Sequence, residues 1–104
     1  MAVDMDVEPA RSAEFVTWYG QHRIPYLLRV PGWRRVRLFE QVEGRGPRFM
    51  SLHELESPAV FETSEFRDPA GAPGADIIGP AVTNRKRHLF KFRNRFPLPA
   101  WGMP

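Results

Sequence analysis

Four segments of this chain alternate apolar and polar residues, and this period-two pattern limits the fold more than any other feature. The segments are residues 2 to 7, 33 to 42, 49 to 55 and 87 to 96. Because successive side chains of a β-strand point to opposite faces, each segment is predicted to form a strand with one apolar face. A glycine- and proline-containing turn at residues 44 to 47 separates the second and third segments, which predicts a hairpin.

The segment between the first two strands has helical periodicity. Ser12 is a suitable N-cap, Pro25 predicts a break near Arg23, and Pro31-Gly32 ends a helix predicted over residues 12 to 29. An aromatic stripe on this helix is predicted to face inward, and its members are Phe15, Trp18, Tyr19, His22 and Tyr26.

A second, short helix is predicted to begin at Ser57-Pro58, and the glycine- and proline-rich residues 67 to 80 are predicted to form a long loop. The resulting order, βαββαβ, predicts an α+β fold of the ferredoxin-like type: a four-stranded antiparallel sheet with two helices on one face. At 104 residues the chain fits one domain, here residues 1–96, followed by an extended tail at residues 97–104.

Composition excludes several classes of protein. No apolar run approaches the roughly 20 residues of a membrane-spanning helix. The acidic N-terminal segment differs from a signal peptide, so a cytoplasmic location is expected. With no cysteine and three histidines that lack close ligand spacing, no metal site is predicted, and no motif indicates a cofactor. The net charge of +3 permits an anionic partner but is also ordinary for a soluble domain.

The predicted helices leave one sheet face uncovered, which suits either a nucleic-acid platform or a subunit interface. An RNA-binding sheet stacks bases on aromatic residues of its first and third strands. Here Pro47 stands where a stacking aromatic residue is needed, and the first strand carries Asp4 and Asp6 and no aromatic residue. No nucleic-acid partner is therefore expected. The two aspartates are expected to pair with Arg35 or Arg37, with a proton-accepting role as the alternative.

Three strings extend across most of the chain: EFVTWYGQHRIPYLLRVPGW, RFMSLHELESPAVFETSEF and RKRHLFKFR. Together they resemble small proteins of the dimeric α+β barrel superfamily, especially EthD-like and polyketide-cyclase-like members. The resemblance implies a homodimer in which two sheets pack face to face, with a pocket in each subunit between the sheet and its own helices. Family members commonly have a tyrosine where this chain has His53.

The pocket that the resemblance implies directs attention to the histidines. Histidine has an ordinary pKa of about 6.5, so an inward-facing His22 could transfer protons at neutral pH. Alternatively, His22 donates to a helix carbonyl freed by Pro25 and is structural. Tyr19 and His53 are candidates to hydrogen-bond a developing enolate. The candidate substrate contacts are Trp18, Tyr26, Arg37, Phe49 and His88.

Two functions of different classes follow. The first is a cofactor-independent cyclase or isomerase that acts on an aromatic or polyketide-like small molecule, with a cofactor-free monooxygenase as a variant. The second is a non-catalytic dimeric module that binds the same kind of molecule. In both cases the expected partners are a second copy of the chain and a small, anionic or aromatic ligand, without a membrane.

Overall fold

The computed structural model of the protein describes residues 1–93, so the predicted tail and the predicted end of the fourth strand lie outside the described residues. Four strands form one antiparallel sheet in the order β2-β3-β1-β4. The strands are β1 (Ala2–Val7), β2 (Trp33–Glu40), β3 (Phe49–Leu55) and β4 (Val82–His88). The sheet and the helical segments beside it confirm the predicted α+β class and the four-stranded antiparallel sheet.

The first helical segment has three parts: α1 (Ser12–Trp18), a π-helical turn (Tyr19–Arg23) and α2 (Ile24–Leu28). A short 3-10 helix, Pro9–Arg11, precedes it. The predicted break near Arg23 is therefore present, and it takes the form of a π-helical turn. Such single turns accommodate one extra residue and often occur at functional sites.

The π-helical turn changes which side chains face the sheet. Each of its residues rotates the chain by less than an α-helical residue does, so Tyr19 is followed inward by Arg23 and Leu27. His22 is exposed instead. The prediction that His22 faces inward is wrong, because it assumed an uninterrupted α-helical spacing through residue 22.

The second helical region consists of two short parts, and the first begins where the sequence predicts. A 3-10 helix, Pro58–Glu62, begins at the predicted N-cap, where the Ser57 hydroxyl accepts a hydrogen bond of 3.2 Å from the amide of Ala59. The predicted loop at residues 67 to 80 contains α3 (Ala75–Ile78), and a 3-10 turn, Gly79–Ala81, follows it. The expectation of a loop throughout that segment is therefore wrong.

Strand β4 begins at Val82 and ends at His88, whereas the sequence predicts a strand over residues 87 to 96. Within the described residues the register explains this difference. Strand β4 pairs with β1, and Ala2, the first paired residue of β1, lies opposite His88. Beyond that point β1 supplies no partner, so the alternating residues 89 to 92 lie outside the sheet.

The main core lies between the helical segments and one face of the sheet. Its buried residues are Val3, Met5, Val7, Phe15, Tyr19, Phe49, Ile78 and Ala81. A second cluster at the end of the first helical segment contains Leu27, Val30, Trp33 and Val60. In residues 1–93 no helix has the length and apolar character needed to cross a bilayer.

The opposite sheet face carries the two aspartates of β1. Asp4 accepts a hydrogen bond of 3.2 Å from Nε2 of His88. Asp6 accepts one of 3.0 Å from the Arg48 amide and one of 2.8 Å from the Asn84 side chain. Within one chain these aspartates do not pair with Arg35 or Arg37, because β3 lies between β1 and β2 in the sheet.

Candidate functional site

A cavity of about 320 Å³ lies between the helix-facing side of the sheet and the helical segments. This volume is at the lower end of the range for small-molecule sites, so the cavity suits a small ligand. Its apolar wall contains Phe15, Trp18, Trp33, Phe61, Phe66 and Ile78. Its polar wall contains Tyr19, Arg23, Ser51, His53, Arg85 and Arg87. The remaining lining residues are Met1, Val3, Met5, Ala75, Gly79 and Val82.

The polar wall carries three arginines and no carboxylate. Arg23 comes from the π-helical turn, and Arg85 and Arg87 are two residues apart on β4. None of the three forms an ion pair within residues 1–93, although seven pairs involve other side chains there. Burial lowers the pKa of Arg23, and the charge of Arg85 lowers it further. The cavity lining therefore carries positive charge and no acidic side chain, with Arg23 partly buried and Arg85 and Arg87 exposed.

His53 lies at the centre of a buried hydrogen-bonded group. The indole Nε1 of Trp33 donates to Nδ1 of His53 over 3.2 Å, and Nε2 of His53 lies 2.7 Å from the Ser51 hydroxyl. Both His53, at 4% exposure, and Ser51, at 0%, are buried. Burial lowers the pKa of His53 to about 4, and the positive charges of the N-terminus, Arg23 and Arg85 act in the same direction. His53 is therefore neutral at physiological pH.

Tyr19 continues this polar group toward the cavity. Burial raises the pKa of the Tyr19 hydroxyl, while hydrogen bonding with Ser51 opposes part of the rise. The phenol is therefore protonated at neutral pH and acts as a hydrogen-bond donor. Such a donor beside unpaired arginines is suited to an oxygen atom that carries or develops negative charge.

The apolar wall is a set of aromatic rings from three parts of the chain. The rings of Trp33 and Phe66 stack with centroids 5.7 Å apart, and Phe61 meets both edge-on. The guanidinium of Arg87 lies over the ring of Phe61 at 4.7 Å. A planar ligand in the cavity would therefore have aromatic faces beside it and cations near one end.

The structure brings together only some of the side chains that the sequence suggests. Trp18, Tyr19 and His53 line the cavity. Arg37 is paired with Leu52, and His88 with Ala2. Because directly paired residues point to the same face, Arg37 and His88 lie on the sheet face opposite the helices.

Three other candidates also lie away from the cavity lining. His22 is exposed. The ring of Tyr26 is covered by the guanidinium of Arg29, at 4.0 Å. Phe49, 1% exposed, is part of the main core.

Sequence reasoning missed the arginines and Trp33. Arg85 and Arg87 alternate with Lys86 and His88, so a strand boundary at residue 82 would have placed both on one face. Ser51 shares the period of His53 on β3, and that signal was present in the sequence. No residue spacing indicates Arg23, because its inward position depends on the π-helical turn.

Within residues 1–93, no three histidine, aspartate or glutamate side chains are grouped as metal ligands. Comparison with known proteins identifies no family: no family model matches the chain, and neither a curated protein nor a solved structure matches it significantly.

Proposed function

We propose that the protein binds a small organic anion with a planar apolar body in the cavity between sheet and helices. One observation carries the proposal: Arg23, Arg85 and Arg87 line this cavity and have no carboxylate partner in the described chain. Arg23 is partly buried, and an unpaired cation in that position is costly unless a counter-ion binds; Arg85 and Arg87 are exposed side chains that line the same cavity. An anionic ligand removes that cost.

The aromatic wall supports the planar part of the ligand. Trp33 and Phe66 present stacked rings, and Trp18 forms another side of the cavity. Small-molecule sites combine such apolar surfaces with a few polar groups that set the orientation of the ligand. A carboxylate near the arginines and an aromatic body against Trp33 would use both walls at once.

A second candidate is catalysis, favoured by the protonated Tyr19 beside Ser51 and His53. In a cofactor-independent cyclase or isomerase, the Tyr19 hydroxyl would hydrogen-bond an enolate oxygen while the arginines stabilise its charge, and the proton lost by the substrate would pass to solvent water. His22 has no part in this scheme because it is exposed, and neutral His53, held at both ring nitrogens, is a weak base. Consumption of dioxygen with a substrate would identify a cofactor-free monooxygenase instead.

We also propose that the chain has the ferredoxin-like topology and dimerises as an α+β barrel. The sheet order β2-β3-β1-β4 supports this topology. The sheet face opposite the helices exposes the ring of Phe39 and leaves Met50 and Leu52 half-buried. A second copy packed on that face would remove these apolar groups from water.

Calorimetric titration with 2-naphthoate, an aromatic carboxylate, tests the proposed ligand site. Arg85→Gln and Lys86→Gln each remove one positive charge from β4, but only Arg85 lines the cavity. We expect Arg85→Gln to weaken binding about tenfold or more, the scale of a lost hydrogen bond to a charged group, and Lys86→Gln to leave it nearly unchanged. Equal losses in both variants, or no binding to the wild-type protein, would contradict the proposal.

A further inference from the structure

Trp33 restricts where His53 can carry a proton. The indole N–H is a donor only, so the His53 Nδ1 that lies 3.2 Å from it must present a lone pair. A histidine with an acceptor at Nδ1 is neutral and carries its single proton on Nε2. The tautomer of His53 therefore follows from its neighbour in the structure.

The Nε2 proton sets the next hydrogen bond. Nε2 lies 2.7 Å from the Ser51 oxygen, so His53 donates and Ser51 accepts. Ser51 is fully buried, at 0% exposure, and its own proton then needs an acceptor inside the protein. Tyr19 is the neighbour that meets this need: the arginines of the polar wall are donors only and His53 Nδ1 already accepts from Trp33, so the phenolic oxygen is the side-chain acceptor left in that wall.

These steps give the chain of hydrogen bonds one direction, from Trp33 through His53 and Ser51 to Tyr19. Because the phenolic oxygen already accepts from Ser51, the Tyr19 proton is left for the cavity that Tyr19 lines. The direction is opposite to that of a serine hydrolase, in which histidine Nε2 accepts the serine proton. Ser51 is therefore not an activated nucleophile.

We propose that Trp33 is a positioning residue that fixes the His53 proton on Nε2, so that Tyr19 donates to a ligand group that only accepts, such as a carboxylate or enolate oxygen. The part that concerns the ligand rests on the proposed function. The assignment of the tautomer does not.

Nitrogen-15 NMR of the full chain tests the tautomer. Long-range proton–nitrogen correlation reports which ring nitrogen of each histidine is protonated, and His53→Gln identifies the His53 signals among the three histidines. At pH 7 we expect a protonated Nε2 and an unprotonated, hydrogen-bonded Nδ1. In Trp33→Phe the Nδ1 signal should shift and exchange between tautomers should begin. A protonated Nδ1 in the wild-type protein would overturn the inference.

Comparing the affinities for 2-naphthoate and naphthalene tells whether Trp33 acts by positioning His53 or only by packing in the apolar wall. Trp33→Phe keeps an aromatic ring, so it should weaken 2-naphthoate about tenfold and naphthalene about twofold or less. Phe66→Leu, which alters the ring stacked on Trp33, should weaken both probes alike. If Trp33→Phe also weakens both probes alike, Trp33 is only part of the wall and the inference is wrong.

Further measurements distinguish a failure of the assigned tautomer from a failure of the proposed ligand site. Should Trp33→Phe not fold, Tyr19→Phe removes the terminal donor and is expected to reproduce the selective loss of 2-naphthoate. A wild-type protein that shows the Nε2 tautomer and binds neither probe would overturn the proposed function together with the ligand half of the inference. A protonated Nδ1 with normal 2-naphthoate binding would overturn the inference alone.

Discussion

The indole Nε1 of Trp18 donates a hydrogen bond of 2.6 Å to the carbonyl oxygen of Pro73 and so attaches the α3 segment to the first helical segment. Ala75 and Ile78 of that segment line the cavity. The residue after Pro73 is Gly74, whose φ of 81° lies in the left-handed region. A Cβ at Gly74 would lie 3.1 Å from Trp18 Nε1, so the close approach of the two segments depends on this glycine.

Gly74→Ala should therefore lower the free energy of unfolding by about 1 to 3 kcal/mol, since a side chain at positive φ is strained and the indole must also shift. Urea unfolding measures the change. Gly79→Ala is the matched control, because Gly79 has a φ of −51° and no atom within 4 Å of its would-be Cβ. An equal loss of unfolding free energy in both variants would show that the close contact between Gly74 and Trp18 does not account for the effect of Gly74→Ala.

The depressed pKa of His53 predicts a pH dependence of stability. The unfolded chain binds a proton at this residue below about pH 6.5, whereas the folded chain does so only below about 4. Stability should therefore fall as the pH falls from 6.5 to 4, by about 3 kcal/mol from this residue, and its contribution should level off below pH 4.

Urea unfolding of His53→Gln across this range tests that prediction. The variant should be less stable than wild type at pH 7, because Trp33 and Ser51 lose their partner, but its stability should fall less toward pH 4. His22→Gln, at an exposed position, is the control and should keep the wild-type slope. An unchanged slope in His53→Gln would contradict the assignment.

Arg23 is predicted to lower the stability of the free protein and to strengthen ligand binding. It is partly buried, its pKa is lowered by burial, and no carboxylate pairs with it in residues 1–93. Arg23→Met should therefore stabilise the free protein by about 1 kcal/mol while weakening 2-naphthoate binding.

Arg29→Met is the control for the Arg23 variant, because Arg29 pairs with Asp68 at 3.2 Å and donates to the Glu65 carbonyl at 2.7 Å. It should be neutral or destabilising. Thermal unfolding with and without the ligand measures both properties. A destabilised Arg23→Met would show that the unpaired guanidinium does not lower the stability of the free protein.

The proposed dimer is tested at the uncovered sheet face. The wild-type protein should have twice the chain mass of 12.0 kDa by light scattering at micromolar concentration. Phe39→Asp should shift the mass toward that of one chain, because it buries a charge in the proposed interface. Val16→Asp, on α1, changes a residue of similar exposure (42% against 44%) and should remain dimeric. A wild-type monomer would contradict the barrel arrangement.

Period-two alternation was enough to predict strands at Ala2–Val7 and Phe49–Leu55, since each has one face in the core and one face toward the other side of the sheet. The same alternation puts Ser51 and His53 on one face of β3. The fourth strand was misplaced because residues 89 to 92 alternate as well, and alternation alone does not tell which segment finds a partner strand.

The sequence by itself determined the α+β class, the inward placement of Tyr19 and the pairing of His53 with an apolar strand face, because these depend on local periodicity and on the burial of apolar side chains. Only the tertiary structure decided that Arg23 enters the cavity and His22 does not, because that depends on a π-helical turn. It also decided that Arg85 and Arg87 join Arg23, since β4 pairs with β1 in one particular register. Which ring nitrogen of His53 carries the proton depends on Trp33, which is twenty residues away along the chain. Tertiary packing brings such distant residues into contact.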